Sequence, residues 1–284
     1  MQKMINNSPL INIITRCSKP DSFKRCLDSV SSQTYKNIHH IVTYQNDEIK
    51  DFLKGFEGIY KIRVPNVKAI KGLALQHYVH PGKDNFLNPD FEWMEQKIVT
   101  NHSINDPSYL GMETKPEPPI TIHDGPFFHT SLDYAYTVRY RHFPYNMFLK
   151  IAEQHTKEGW VVYLDDDDYL KKDTALEELV KEINMHDDDT LHISYVLTKE
   201  NKDTRDQHIV NQMKGGMPFI CFFIGGSFLT FHTKYIEYTA WNEWSGSDWK
   251  TAKCLEAVIP KKNWIDNYFI KLGGINSGGD SHGV

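Results

Sequence analysis

Apolar and polar positions along the chain fall into alternating strand-like and helix-like stretches. Leu10 to Thr15 (Leu-Ile-Asn-Ile-Ile-Thr) is rich in β-branched residues and reads as a first strand, closed by the polar stretch Arg16 to Pro20. Phe23, Cys26, Leu27 and Val30 then recur at i, i+3, i+4 and i+7, which predicts an amphipathic helix capped by Asp21 or Ser22. Strands are expected at Ile38 to Thr43 and Tyr60 to Val64. From Lys68 to about Ser131 Pro, Gly, His and Asn are scattered among aromatics without a period, which reads as an irregular insertion or lid.

Regularity returns at Asn146 to His155, where Phe148, Ile151, Ala152 and His155 share a helical stripe. Next come Gly159 and the apolar strand Trp160 to Leu164, which runs straight into Asp165-Asp166-Asp167-Asp168. Thr174 and Glu177 have capping-box spacing for a helix that buries Leu176, Leu179, Val180 and Ile183. Strands near His192–Leu197 and Ile220–Phe231 and a helix from about Ser247 complete the pattern. Strands alternating with helices predict an α/β sheet with right-handed parallel crossovers. In such sheets ligands gather beyond the carboxyl ends of the strands, here Arg16–Lys19 and Tyr44–Asp47.

Composition narrows the picture little. The 284 residues are 40% apolar, enough for a substantial core. A net charge of −5 gives no reason to expect nucleic-acid binding. No window is long and apolar enough to span a bilayer, and Met1 to Leu10 has no apolar signal core, so the expectation is a cytoplasmic protein. Cys17, Cys26, Cys221 and Cys254 match no metal or redox spacing and read as reduced, buried thiols.

The acidic run carries the chemistry. Four consecutive carboxylates at the end of a buried strand repel one another, and a hard divalent cation compensates them. Mg²⁺ or Mn²⁺ takes oxygen ligands and commonly adds substrate phosphates to them. Asp187-Asp188-Asp189, between a helix and a strand, reads instead as a solvated loop.

Several segments together resemble family 2 glycosyltransferases of the GT-A fold: Ile11 to Arg16, Phe23 to Val30, Gln33 to Ile38, His40 to Val42 and Tyr163 to Asp168. The last resembles the family's DxD segment, set late by the insertion. The resemblance covers roughly residues 10–50 and 140–255. It implies a single GT-A domain with a mixed sheet flanked by helices. Residues 1–170 would form the nucleotide-sugar half, with the insertion at about 68–131, and 171–284 the acceptor half.

By resemblance Asp165 contacts the ribose or a metal-bound water, with Asp166 beside it. Asp167 is a direct metal ligand and Asp168 a second candidate, the register being ambiguous by one. Thr15 and Arg16 lie against the nucleoside, and Arg141 and Asn146 lie near the donor, where an Arg fork suits a phosphate. Where the family has a base-reading acid, this chain has Tyr44-Gln45-Asn46-Asp47. Gln45 replaces the acid, or Asp47 supplies it, or Tyr44 stacks on the base.

On the acceptor side, Gly225-Gly226 marks either a bulge or a close approach to ligand. Trp241, Trp244 and Trp249 are either a sugar platform or core. Asp248 is the candidate general base, or alternatively part of a helix cap. His232 and His282 are candidate extra metal ligands, His282 lying in a glycine-rich tail.

The function implied is metal-dependent transfer of a sugar, with inversion, from a nucleotide-sugar (foremost a UDP-sugar) to a glycan or other hydroxyl acceptor. A nucleotidyltransferase fits less well, because Thr15–Lys19 contains no glycine for a phosphate loop. A haloacid dehalogenase-type phosphohydrolase is expected to carry its Asp-x-Asp near the N-terminus. A non-catalytic nucleotide- or carbohydrate-binding module is the remaining alternative.

Overall fold

The structure, a computed structural model, describes residues 8–18, 20–65, 72–79, 95–100, 135–141, 145–197, 211, 213–216, 219, 226–241 and 247–271. The main sheet is assembled from β1 (Ile11–Arg16), β2 (Ile38–Tyr44), β3 (Ile59–Arg63) and β7 (Trp160–Tyr163). To these it adds β8 (Tyr169–Leu170), β9 (Thr190–Leu197), β10 (Leu229–His232) and β11 (Lys261–Lys271). Their spatial order is β3-β2-β1-β7-β10-β9-β11-β8. The block β3-β2-β1-β7 is parallel, β10 is antiparallel to both β7 and β9, and β11 runs parallel to β9. The sheet is therefore mixed, as the family resemblance implies.

Helices cover both faces. On one face α1 (Pro20–Ser31), α2 (Asp47–Leu53) and α4 (Ala175–Ile183) pack Phe23, Cys26, Leu27, Ile49, Leu176 and Leu179 against Ile11, Ile13, Val42 and Val162. On the other, α3 (Asn146–Glu153) and α5 (Ser247–Val258) pack Leu149, Ala152, Ala252 and Leu255 against Ile14, Ile41, Val161 and Phe231. Side-chain alternation along each strand divides these two cores.

Four expectations are corrected. First, α1 begins at Pro20, so Asp21 and Ser22 lie inside its first turn and do not precede it. Proline suits that opening position, since it has no amide to leave unbonded. Second, Thr174 and Glu177 form no capping box, because the Thr174 side chain makes no capping bond. The Leu176 amide donates instead to the buried Gln33 side chain at 3.0 Å, so the cap comes from the segment after α1. Third, the stretch read as irregular contains β4 (Gly72–Val79) and β5 (Glu95–Thr100). With β6 (Ala135–Arg141), just beyond that stretch, they form a separate antiparallel sheet ordered β5-β4-β6. Fourth, the long strand expected at Ile220–Phe231 is described only from Leu229, after a 3₁₀ turn over Gly226–Phe228.

Two buried histidines make the fold acid-sensitive. His40 is fully enclosed and its imidazole is depressed to about 3 by burial and then by His39. His192 is depressed to about 4 by burial and then by His186. The unfolded chain binds these protons near pH 6.5, whereas the folded chain refuses them. Stability is therefore intact above about pH 6.5 and falls as pH drops toward 4, by about 1.4 kcal/mol per unit for each histidine. Urea midpoints at pH 7.5, 6 and 5 are expected to decline in that order. His40→Gln should flatten the decline, and an unchanged slope in that variant would contradict the assignment.

Candidate donor site at the carboxyl edge of the sheet

Because β1, β2, β3 and β7 are parallel, their carboxyl ends share one edge. The segments Arg16–Ser18, Tyr44–Asp47 and Asp165–Asp168 follow three of those strands. The second acidic run, Asp187–Asp189, precedes β9 at the opposite edge, where Asp187 pairs with Lys261 and Asp189 with Lys234. It is a solvated, ion-paired loop, as expected.

Residues Asp165–Asp168 form a tight turn closed by the Asp168 amide on the Asp165 carbonyl at 3.0 Å. Burial sorts its carboxylates alternately. Asp166 and Asp168 are 2% and 5% exposed, while the Asp165 side chain is 44% exposed and Asp167 is half-buried. The Asp166 Oδ2 accepts both the Ser18 amide, at 2.6 Å, and the Ser18 hydroxyl, at 2.7 Å. Arg25 donates to the Asp167 carbonyl at 3.1 Å, and its guanidinium lies 4.4 Å from the centre of the Tyr169 ring. Neither Ser18 nor Arg25 is singled out by the sequence pattern. Ser18 is discernible only as a polar residue just past a strand end, and Arg25 carries no local signal.

Arg16 joins two other predicted residues. Its Nη1 donates to Asn146 Oδ1 at 2.7 Å, and its Nε stands 3.5 Å from Asp165 Oδ1. Asn146 opens α3, so the strand β1, the helix α3 and the acidic turn meet at one guanidinium. Thr15 does not join them. It is fully buried and its hydroxyl lies 3.0 Å from the His40 Nε2. Consecutive strand residues face opposite ways, so with Arg16 at the site Thr15 belongs to the α1 core. Tyr44 is likewise packed into that core and is not disposed to stack on a base.

Gln45 is half-buried at the end of β2. Asn46 caps α2 by accepting the Ile49 amide at 2.8 Å, and Asp47 pairs with Arg63 on the surface at 3.0 Å. Cys17 and Cys26 are buried free thiols. Burial and then the Asp166 charge push both thiols well up, so they remain protonated. Cys254 is free but exposed, against expectation.

Asp248 lies in the first turn of α5 and is half-buried. One turn on, the Thr251 hydroxyl accepts the Ala240 amide at 3.0 Å. The neighbouring Trp241 ring packs edge-on against Tyr163 at 5.0 Å. Trp241 is thereby core and no platform for a sugar. A Cβ on Gly226 would meet the Trp241 ring at 2.7 Å, so this glycine serves packing. Tyr163 itself is fastened to the buried Glu153, which also meets Lys150 at 3.0 Å.

Arg141 closes β6, and its side chain lies outside the described residues. So do Cys221, Gly225, Trp244, His282 and the side chain of Trp249. His232 sits at the end of β10, 4.0 Å from Asp188 at the opposite edge, which separates it from the acidic turn. Among the described residues no group of three or more His, Cys, Asp or Glu is gathered to hold a metal. The donor chemistry nevertheless suits Mg²⁺ or Mn²⁺: Asp165 and Asp167 offer hard oxygens on an accessible turn. These ions are typically held by one or two carboxylates, with phosphates and water completing the shell. No helix among the described residues is long and apolar enough to cross a membrane.

No protein-family model matches the chain, and no curated protein is a significant match in sequence. Solved structures do match. S. aureus TarS 1-349 superposes with a TM-score of 0.54 at 9% identity, over 93% of this chain and 60% of that one. Its complex with UDP gives 0.50 at 8% identity, over 92% and 60%. The mannosyltransferase PcManGT from Pyrobaculum calidifontis, in complex with GDP-Man and Mn²⁺, gives 0.50 at 11% identity, over 95% and 58%. The chain thus spans about three-fifths of the length of these structures, and it has the GT-A fold.

Proposed function

We propose that this GT-A chain is a metal-dependent glycosyltransferase that moves a sugar from a nucleotide-sugar to an acceptor hydroxyl with inversion. The observation that carries the reading is the convergence of Arg16, Asn146 and Asp165 beside the half-buried Asp167 at the carboxyl edge of β7. The mixed sheet shared with TarS and PcManGT supports it.

In this reading Asp167, with Asp165, would hold Mn²⁺ or Mg²⁺, and His282 is the proposed further ligand. When bound, the ion offsets the negative charge that builds on the departing diphosphate. Arg16 fixes Asp165 and the start of α3, which orients the ribose side of the donor. Gln45 is the best placed of the base-reading candidates. Asp248 accepts the acceptor hydroxyl proton as that oxygen bonds to the anomeric carbon. The anomeric carbon–phosphate oxygen bond breaks, and its electron pair leaves on the nucleoside diphosphate. A UDP-sugar is the first donor to try, with a GDP-sugar next, as the two complexes named above carry UDP and GDP-Man.

The test is a panel of UDP-, GDP- and dTDP-sugars, each with Mn²⁺ and again with chelator, scored for binding and for released nucleoside diphosphate. At least one donor is expected to bind only with metal and to be cleaved when an acceptor sugar is supplied. Failure of every donor to bind in a metal-dependent way would sink the proposal. Binding without release across varied acceptors would favour a non-catalytic module.

A further inference from the structure

We propose that Ser18 and Asp166 form a positioning clamp: they hold the turn Asp165–Asp168 so that Asp165 and Asp167 face the donor, and Asp166 itself binds neither metal nor nucleotide. This rests on the glycosyltransferase reading above and assigns within that site a task to the acidic residue least able to reach a ligand.

The geometry is specific. One oxygen of Asp166, in a residue only 2% exposed, receives both the amide and the hydroxyl of Ser18 at 2.6 and 2.7 Å. The clamp joins the segment after β1 to the turn after β7, neighbouring parallel strands. Two further anchors from α1 reinforce it. Arg25 donates to the Asp167 carbonyl at 3.1 Å, and the Leu170 amide donates to the Ser29 hydroxyl at 3.0 Å. The turn is therefore tied to the β1–α1 segment at Asp166, at Asp167 and, just beyond it, at Leu170. With Asp166 drawn beneath the turn, its neighbours on either side are the carboxylates that remain accessible. Supporting residues that orient metal ligands typically change metal affinity by about 10–100-fold when removed.

The clamp makes a distinctive demand on chemistry. It requires a hydrogen-bond acceptor at position 166 and does not require a negative charge there. Asp166→Asn keeps an oxygen able to accept both Ser18 groups, whereas Asp166→Ala removes it.

The experiment titrates Mn²⁺ by electron paramagnetic resonance in the presence of UDP or GDP, whichever the wild type binds. It runs well below each variant's melting temperature, so that only folded protein is compared. Asp166→Ala is expected to weaken Mn²⁺ about 10–100-fold. Asp166→Asn should lose no more than about threefold, and Ser18→Ala should fall between them. A purely structural role would lower melting temperatures and leave the affinity of folded protein unchanged. Should Asp166→Ala not fold, Ser18→Ala and Asp166→Asn still decide. Weakened Mn²⁺ in the first with near-normal affinity in the second supports the clamp.

Asp166→Asn as poor as Asp167→Asn would overturn the clamp and make Asp166 act through its charge. Wild-type affinity in Ser18→Ala would overturn it as well. Absence of metal-dependent nucleotide binding in the wild type is a separate failure. It removes the glycosyltransferase reading, and the clamp's purpose with it.

Discussion

Asp167→Ala is expected to lose metal-dependent donor binding by about a hundredfold or more while remaining folded. The residue is half-buried on the turn, and Arg25 donates to its backbone carbonyl. Replacing the side chain therefore removes the proposed ligand and leaves that anchor in place. The expected loss of stability is about 1 kcal/mol, the centre of the range for point substitutions. Asp248→Ala should separate from it cleanly. Loss of a general base costs roughly 10²–10⁴-fold in rate, with donor binding expected to persist. Isothermal titration of the donor with Mn²⁺, paired with a transfer assay, distinguishes the two variants. Normal transfer by Asp248→Ala would place the base elsewhere, and unimpaired metal-dependent binding by Asp167→Ala would dismiss Asp167 as the ligand.

The second large effect is structural. Gly159 immediately precedes β7 with φ +147, and a Cβ there would lie 2.4 Å from the Leu10 carbonyl oxygen and 2.9 Å from the Leu10 Cβ. Neither neighbour is free to retreat. The Leu10 carbonyl accepts the Trp160 amide at 2.8 Å, and the Gly159 carbonyl accepts the Thr233 amide at 2.8 Å. Gly159→Ala must therefore break a junction among β1, β7 and β10. We expect a loss of about 3 kcal/mol or more, the sum of a strained backbone and an overpacked contact. For a chain of this size that corresponds to a drop of roughly 6–12 °C in melting temperature. Gly58 provides the control, having φ +75 but open space around its Cβ position. Gly58→Ala should cost only about 1 kcal/mol. Equal melting temperatures for the two variants would contradict the close approach at Gly159.

The elements that were legible in sequence are those whose apolar period is decided locally. Phe23, Cys26, Leu27 and Val30 announce α1, and Leu176, Leu179, Val180 and Ile183 announce α4, and all eight are buried. The parallel block was legible because its strands are short apolar runs followed by polar strand ends. What escaped depends on contacts distant in sequence. Gln33 supplies the bond that Thr174 was expected to make, and no local pattern joins those positions. Trp241 is core because Gly226 leaves room for its ring, a pairing visible only after folding.

The donor site divides the same way. The acidic run stood out as four like charges after a buried strand, and its edge of the sheet followed from the parallel order. Which of the four carboxylates face out depended on the turn and on Ser18, which the sequence left unmarked. Thr15 and Arg16 were paired as site residues by resemblance, although strand alternation allows only one of two neighbours to face a given side. Arg16 reaches Asn146 and Asp165, while Thr15 turns to His40.

The central claim is that the turn Asp165–Asp168 presents a metal to a nucleotide diphosphate. The most direct measurement is a crystal structure of the protein with Mn²⁺ and the nucleoside diphosphate it binds, with the ion located by its anomalous signal. The expected result is an Mn²⁺ ion beside both the Asp167 carboxylate and the diphosphate, with Asp166 still bonded to Ser18. A diphosphate bound at this edge with no ion beside Asp167, or an ion seated on Asp166 with the Ser18 contact broken, would contradict it.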